Sequence, residues 1–238
     1  MNKLYESEPY LKEFKTKISK IYEEENLIEL KETAFYATGG GQPGDTGILI
    51  KESKEEIKII ETIKRNNIVL HRAENIKNVI NNINVSGKIN WEKRYKYMKM
   101  HTSLHLLLVV IPFDVTGGQI GYDKSRIDFD MQNTKIEKEE IEEKINKLVN
   151  EDHHVSYQWI TNEELEKQPD LVRTMSVKPP QTSYKIRLVK IGEIDLQPCG
   201  GTHVRSTKEI GKIKIGKIEN KGKMNRRINL SIIDEGSD

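Results

Sequence analysis

The stretch WEKRYKYMKMHTSLHLLLVVI, Trp91 to Ile111, decides how this chain is read. Leu104, Leu107, Leu108 and Ile111 recur at helical spacing, and Pro112, which has no amide hydrogen, ends the pattern. The same helix carries His101 and His105. Four residues apart, the two imidazoles share a face one turn from each other, where a single ion can bridge them. The usual zinc-protease signature would place a glutamate directly after the first histidine; Thr102 stands there instead, so no helix-borne carboxylate acts as a base from that position.

Upstream of this helix, residues 1–89 read as a β-rich domain. Asn26–Lys31 alternates apolar and polar, and Ile57–Glu61 and Ile68–His71 are short β-branched runs. Thr38-Gly39-Gly40-Gly41-Gln42-Pro43-Gly44-Asp45-Thr46-Gly47 is too rich in glycine for a helix or a central strand and is a shaped loop. The asparagine-rich stretch 75–90 leads into the helix and sets a boundary near Ile89.

Residues 90–238 mix helices and strands, which makes the whole chain α+β. A second helix is expected from about Ile136 to Glu151, capped by Thr134 with Glu137 three residues on. Its charged residues (Glu139, Glu142, Glu143, Lys144, Lys147) are assigned to solvent. Thr161 and Glu164 announce a short third helix in the same way. Strands follow at Tyr184–Ile191, Ile210–Ile218 and Arg226–Ile233.

Far beyond the histidine pair comes Cys199-Gly200-Gly201-Thr202-His203, at a separation of 199 − 105 = 94 residues. A thiolate and a third imidazole complete a set of nitrogen and sulfur donors suited to tetrahedral zinc. The set uses the only cysteine and three of the six histidines, whereas His71, His153 and His154 are assigned to packing or surface. One cysteine also excludes an internal disulfide.

Composition narrows the setting. Charged residues make up 32% of the chain and no apolar run approaches the roughly 20 residues that span a bilayer, so no membrane role is expected. Met1–Glu8 lacks the apolar core of a secretory signal, and a cytoplasmic location is the expectation. Net charge is only +2, so the distribution of charge has to speak for any RNA partner. Lys208, Lys212, Lys214, Lys217, Lys221, Lys223, Arg226 and Arg227 crowd the C-terminal strands, with Arg94, Lys96 and Lys99 as an extension on the helix. That is either a phosphate-binding patch or a solvated strand face. The abundance of isoleucine, lysine and asparagine reads as coding bias.

Four segments together resemble the freestanding alanyl-tRNA editing proteins of the AlaX family, medium-sized type, and the related editing domain of alanyl-tRNA synthetase. They are Thr33–Gly47, His101–Leu107, Thr116-Gly117-Gly118-Gln119-Ile120 with Arg126–Asp130, and Cys199–Val204 continuing through Lys221-Gly222-Lys223-Met224-Asn225-Arg226-Arg227. They span nearly the whole chain in order. The resemblance implies a β-barrel-like N-terminal domain followed by a two-layer α/β editing domain that holds one Zn2+ per chain through His101, His105, Cys199 and His203. It implies hydrolysis of serine, and sometimes glycine, from mischarged alanine tRNA. No ATP-binding segment is found, so errors would be cleared in trans, without charging of tRNA.

The resemblance also assigns roles. Gln119 matches a pocket glutamine that would orient water or bond the ester carbonyl, or it is a turn residue. Thr33 would read the serine hydroxyl, or it is a plain strand threonine. Gly39, Gly40, Gly41 and Gln42 would wall the aminoacyl or terminal-adenosine site, or simply shape a loop. Lys221, Lys223, Arg226 and Arg227 would contact tRNA. Leu104 departs from the synthetase domain, which often has threonine there, so a hydroxyl role at that position has no bearer. Two other readings fit the same residues: a zinc-stabilised RNA-binding module without catalysis, and an editing enzyme for threonine-specific tRNA. For the zinc itself, activating water and positioning the substrate both remain open.

Overall fold

The computed structural model describes residues 2–131, 137–172, 185–222 and 224–233. Two compact units divide it, Met1–Lys96 and Tyr97–Asp238. The architecture is α+β and predominantly strand.

In the first unit a two-stranded parallel pair, β1 (Asn2–Lys3) and β4 (Glu32–Thr33), accompanies six longer strands. These are β2 (Glu13–Tyr22), β3 (Leu27–Leu30), β5 (Gly47–Lys51), β6 (Glu56–Arg65), β7 (Ile68–Ala73) and β8 (Asn84–Ile89). They close into an antiparallel barrel in the order β2-β3-β7-β6-β5-β8, with β8 pairing back onto β2. Closure removes every exposed sheet edge from the ring. Alternation supplies the core: Phe14, Ile18, Ile28, Leu30, Leu49, Ile57, Ile59 and Val85 point inward and are buried together with Phe35. Asparagine, read from composition as coding bias, has structural work here. Asn66 and Asn67 both take positive φ (49° and 65°) in the two-residue turn between β6 and β7, the conformation a type I′ hairpin needs. Asn26, Asn78 and Asn82 are left-handed as well.

His71 lies wholly inside the barrel. Its Nδ1 is 3.0 Å from Ile28 O and its Nε2 is 2.9 Å from Thr33 Oγ1. Nδ1 therefore donates to the carbonyl and the neutral Nε2 accepts from the threonine. Burial disfavours the charged ring and outweighs the bond to Ile28, taking its pKa from 6.5 to about 4.

Helix α1 (Trp91–Val110) opens at Asn90, whose side chain accepts from Lys93 N at 3.2 Å. Arg94, in its first turn, was counted with the basic residues available to RNA. The structure corrects this: Arg94 is fully buried, its guanidinium forked onto Asp45 and donating to Pro9 O (2.9 Å) and Ala34 O (2.6 Å). Asp45 also accepts from Tyr36 N at 2.6 Å, so one buried pair ties the glycine-rich loop to the start of the helix.

The second unit begins within α1, which is buried on all sides from His101 to Leu108, so the leucine stripe is only part of its contact surface. Strands β9 (Val115–Gln119), β10 (Ser125–Asp130), β14 (Lys212–Asn220) and β15 (Asn225–Ile233) form an antiparallel sheet in the order β14-β15-β10-β9. Helix α2 (Lys138–Asn150) lies along β14. Asn146 exchanges two hydrogen bonds with Ile213 backbone (2.8 and 2.9 Å), and Glu142 accepts from Ile215 N at 2.9 Å. Glu142 was assigned to solvent, but here it satisfies a strand edge. The expected cap Thr134 lies outside the described residues, as does Tyr184.

A second antiparallel sheet has the order β11-β12-β13, from β11 (Val155–Ile160), β12 (Ile186–Ile191) and β13 (Asp195–Pro198). The short helix α3 (Asn162–Glu166) begins with the expected capping box between Thr161 and Glu164. Among the described residues no helix is long and apolar enough to cross a membrane.

Two stability predictions follow from the buried ionisable groups. The unfolded chain protonates His71 near pH 6.5 and the folded one only near 4, so between these values the unfolded state binds more protons. The neutral ring's contribution is complete above pH 6.5 and roughly 3 kcal/mol of it is lost as pH falls towards 4. Urea midpoints at pH 7.5 and 5 should fall further for the native chain than for His71→Gln; equal falls would contradict the assignment. Replacing Arg94 by Met leaves the Asp45 carboxylate buried and unpaired and should cost about 3–5 kcal/mol in the same assay; a loss below about 1 kcal/mol would mean that water reaches Asp45.

Candidate metal centre

Helix α1 presents His101 and His105 one turn apart, and the loop after β13 brings Cys199 and His203 to meet them. One donor atom from each lies within 4.8 Å of all the others. Cys199 Sγ is 3.4 Å from His101 Nε2 and 3.3 Å from His203 Nε2. Around a tetrahedral zinc with ordinary bond lengths, sulfur and nitrogen ligands stand roughly 3.5 Å apart. Both sulfur–nitrogen separations therefore suit a shared metal ion, and all four donors lie close enough to converge on one.

Three of the four ligands are steered from behind. His105 Nδ1 is 2.9 Å from Asp195 Oδ2, and Gln197 Nε2 donates to that same oxygen at 2.8 Å. The carboxylate fixes the tautomer that turns Nε2 towards the centre. Thr102 Oγ1 donates to Met98 O (3.0 Å), which leaves it to accept from Val204 N (3.3 Å) and His203 Nδ1 (3.2 Å). The cysteine loop is held by Arg187, whose Nε donates to Cys199 O at 3.0 Å and whose Nη2 donates to Gly201 O. Gly201 N points at the sulfur, 3.4 Å away, a donor that favours thiolate.

Proton affinities bear the mark of this crowding. Burial opposes charge on His105, but hydrogen bonds to Asp195 and Cys199 outweigh it and raise the pKa to about 10. Burial raises the Cys199 thiol, yet the neighbouring His101 and His203 pull it well below 9.0. Burial and then the charge of His101 hold His203 well below 6.5.

The other expected site residues occupy their own surroundings. Gln119 is exposed on β9, opposite Arg126, whose Nε donates to its Oε1 at 3.3 Å. Arg126 and Arg227 both bind Asp128, at 2.6 and 2.8 Å. Lys221 pairs with Glu219 at 2.7 Å, and Arg226 donates to Gly222 O and Asn225 O. Lys223 lies outside the described residues. In the first unit, Thr33 is buried, with its hydroxyl bonded to His71 and to Phe35 N (3.1 Å). Gly39 and Gln42 pair through both backbone bonds (3.1 and 2.9 Å) around Gly40 and Gly41, whose φ of 55° and 79° require residues free of a Cβ clash. Asp195, Gln197, Thr102 and Arg187 were not singled out from sequence. Asp195 and Gln197, two apart on a strand, were the one available signal, since that spacing puts both on one face.

Residues 186–229 match the second additional domain of threonyl and alanyl tRNA synthetases, and residues 7–93 match the class II (A) tRNA synthetases. Among curated proteins, the alanyl-tRNA editing protein AlaX-M of Methanosarcina mazei is 36% identical, over 98% of this chain and 97% of that protein. The chain belongs to the AlaX family of alanyl-tRNA editing proteins. AlaX-M of Methanosarcina acetivorans is also 36% identical, over 97% of this chain and 98% of its own length. The larger AlaX-L of Pyrococcus horikoshii is 35% identical over 97% of this chain, which covers 58% of it. The AlaX-M proteins are matched over nearly their whole length, and His101, His105, Cys199 and His203 fall together as the resemblance implied.

Substituting Asn for Asp195 removes the charge behind His105 while keeping its shape. Zinc affinity, read by competition with a chromophoric chelator, should fall roughly 10–100-fold with unchanged circular dichroism. Undiminished affinity would show that Asp195 does not act on the centre.

Proposed function

We propose that this chain removes serine, and sometimes glycine, from alanine tRNA by hydrolysing the ester at the tRNA 3′ end in trans. The observation that carries the reading is the cluster of His101, His105, Cys199 and His203, four donors within 4.8 Å in a chain matched throughout to AlaX-M proteins. As a member of this family the chain is an aminoacyl-tRNA deacylase. Such an enzyme has a physical reason to exist. A pocket shaped for alanine admits the smaller glycine and rejects serine poorly, since an added hydroxyl is weakly discriminated by an apolar site.

Zinc is the ion proposed for the cluster; when bound it supplies a Lewis acid that can polarise water or hold the aminoacyl group. The chain's own groups do the rest. Asp195 and Gln197 fix His105, Thr102 fixes His203, and Arg187 fixes the backbone on either side of Gly200. Arg126 occupies Gln119 Oε1, which leaves the amide NH2 as a donor for the carbonyl oxygen of the ester as negative charge grows there. Water adds to the carbonyl carbon, the bond to the ribose oxygen breaks, and that oxygen leaves with a proton. Thr33 as reader of the serine hydroxyl, Gly39–Gln42 as a substrate wall, and Lys221, Lys223, Arg226 and Arg227 as tRNA contacts belong to the same proposal. So do the division into a β-rich domain, 1–89, and an editing domain, 90–238, and a cytoplasmic location.

The test is release of labelled serine from Ser-charged alanine tRNA, with Ala-charged alanine tRNA and Ser-charged serine tRNA as controls. Release confined to the mischarged species should be abolished in Cys199→Ala and by chelation, and reduced roughly 100-fold or more in Gln119→Ala. Release from Ser-charged threonine tRNA instead would redirect the reading to threonine-specific editing. No release by folded, zinc-loaded protein would leave an RNA-binding module without catalysis.

A further inference from the structure

The sheet β11-β12-β13 has one face turned to the metal centre. Val189 stands opposite Gln197, and Ile191 opposite Asp195, so β12 shows those side chains on the face that supports His105. Across the other edge of β12, Trp159 stands opposite Arg187 and Tyr157 opposite Val189. Paired residues point to the same side, so Tyr157 and Trp159 share the face that carries Asp195 and Gln197. Arg187 links the two edges. Its guanidinium lies over the Tyr157 ring at 4.7 Å, its Nε reaches Cys199 O, and its own carbonyl accepts from Cys199 N at 3.1 Å. Trp159, Arg187 and Cys199 thus form one row across three strand positions, which spans roughly 10 Å.

The two tryptophans differ in how they are housed. Trp91 stacks on Tyr95 (5.4 Å, 22°) and packs on Tyr10, whereas Trp159 leaves 45% of its surface to water on an edge strand. An indole held on a rigid strand, beside a guanidinium and in line with the reacting centre, has the chemistry that receives an unstacked base. We propose that Trp159, on the same sheet face as the Tyr157–Arg187 pair, is the platform on which the terminal adenine of the aminoacylated tRNA stacks. This rests on the editing reading. Base and aminoacyl ester are borne on the same ribose, so a base anchored on Trp159 brings its ester towards Cys199 and the histidines.

The chain's two tryptophans make a direct test available. Trp91→Phe leaves Trp159 as the sole indole, and its emission should be quenched by a short single-stranded RNA ending in adenosine. The same RNA with an abasic 3′ terminus should quench far less. In deacylation, Trp159→Ala should raise KM for mischarged tRNA roughly tenfold or more with kcat little changed, and Trp159→Phe should restore most of it. Unchanged KM in Trp159→Ala, or quenching indifferent to the terminal base, overturns the proposal. Conversion of a dimer to a monomer by Trp159→Ala, without loss of RNA binding, overturns it in favour of a second copy seated on the β11 edge. If the native protein deacylates no tRNA yet its Trp159 responds to the terminal base, the editing reading fails and the platform stands.

Discussion

Two imidazoles from one helix turn and a thiol and a third imidazole from a distant loop meet in a volume where Sγ and two Nε2 atoms are 3.3–3.4 Å apart. Lone pairs at that separation repel unless something positive lies among them, and burial removes the water that would otherwise serve. Protons meet the demand only unevenly: His105 is pushed up to about 10 while Cys199 and His203 are pushed down. A metal ion would meet it at all four positions at once. The surrounding second unit keeps three of the four in place, through Asp195 and Gln197 on a strand, Thr102 on the helix between the two histidines, and Arg187 on the next strand.

What could be read in the sequence was what depends on local spacing. His101 and His105 announce themselves because the helix repeat is short, and Thr161 with Glu164 announces α3 for the same reason. The glycine-rich loop was legible because Gly40 and Gly41 stand where only left-handed backbone serves. The residue pattern showed the first unit as β-rich, whereas its barrel form was legible only through the family resemblance. Its closing strand, β8, contains Gly87 between Val85 and Ile89, which weakens the apolar alternation, and its partner β2 carries three lysines among its ten residues. Gly87 has its own reason, since a Cβ there would collide with the Phe14 ring.

Residues whose meaning depends on a partner far along the chain were misread or passed over. Arg94 looked like one of many basic residues, and only Asp45, 49 positions away, makes it a buried brace. Glu142 looked like a solvent carboxylate until β14, more than 70 positions on, was placed beside it. Asp195, Thr102 and Arg187 carry no pattern of their own, because the groups they orient, His105, His203 and the Cys199 loop, are not adjacent to them in sequence. The ligands of such a centre are chemically conspicuous; the groups that aim them are ordinary residues in particular places.

The separation of the two ligand pairs also sets an order of events on the ribosome. All six barrel strands lie within Glu13–Ile89, so every partner in the ring has been made before His101 is added. Between His105 and Cys199 lie 199 − 105 = 94 residues, which at ordinary elongation rates occupy roughly 5–20 s. During that interval a nascent chain exposes two histidines on one helical turn, a half-built site able to hold an ion only loosely. Completion of the centre therefore waits for Cys199 and His203, and a chain truncated before Cys199 would carry every barrel strand with only half of the donor set.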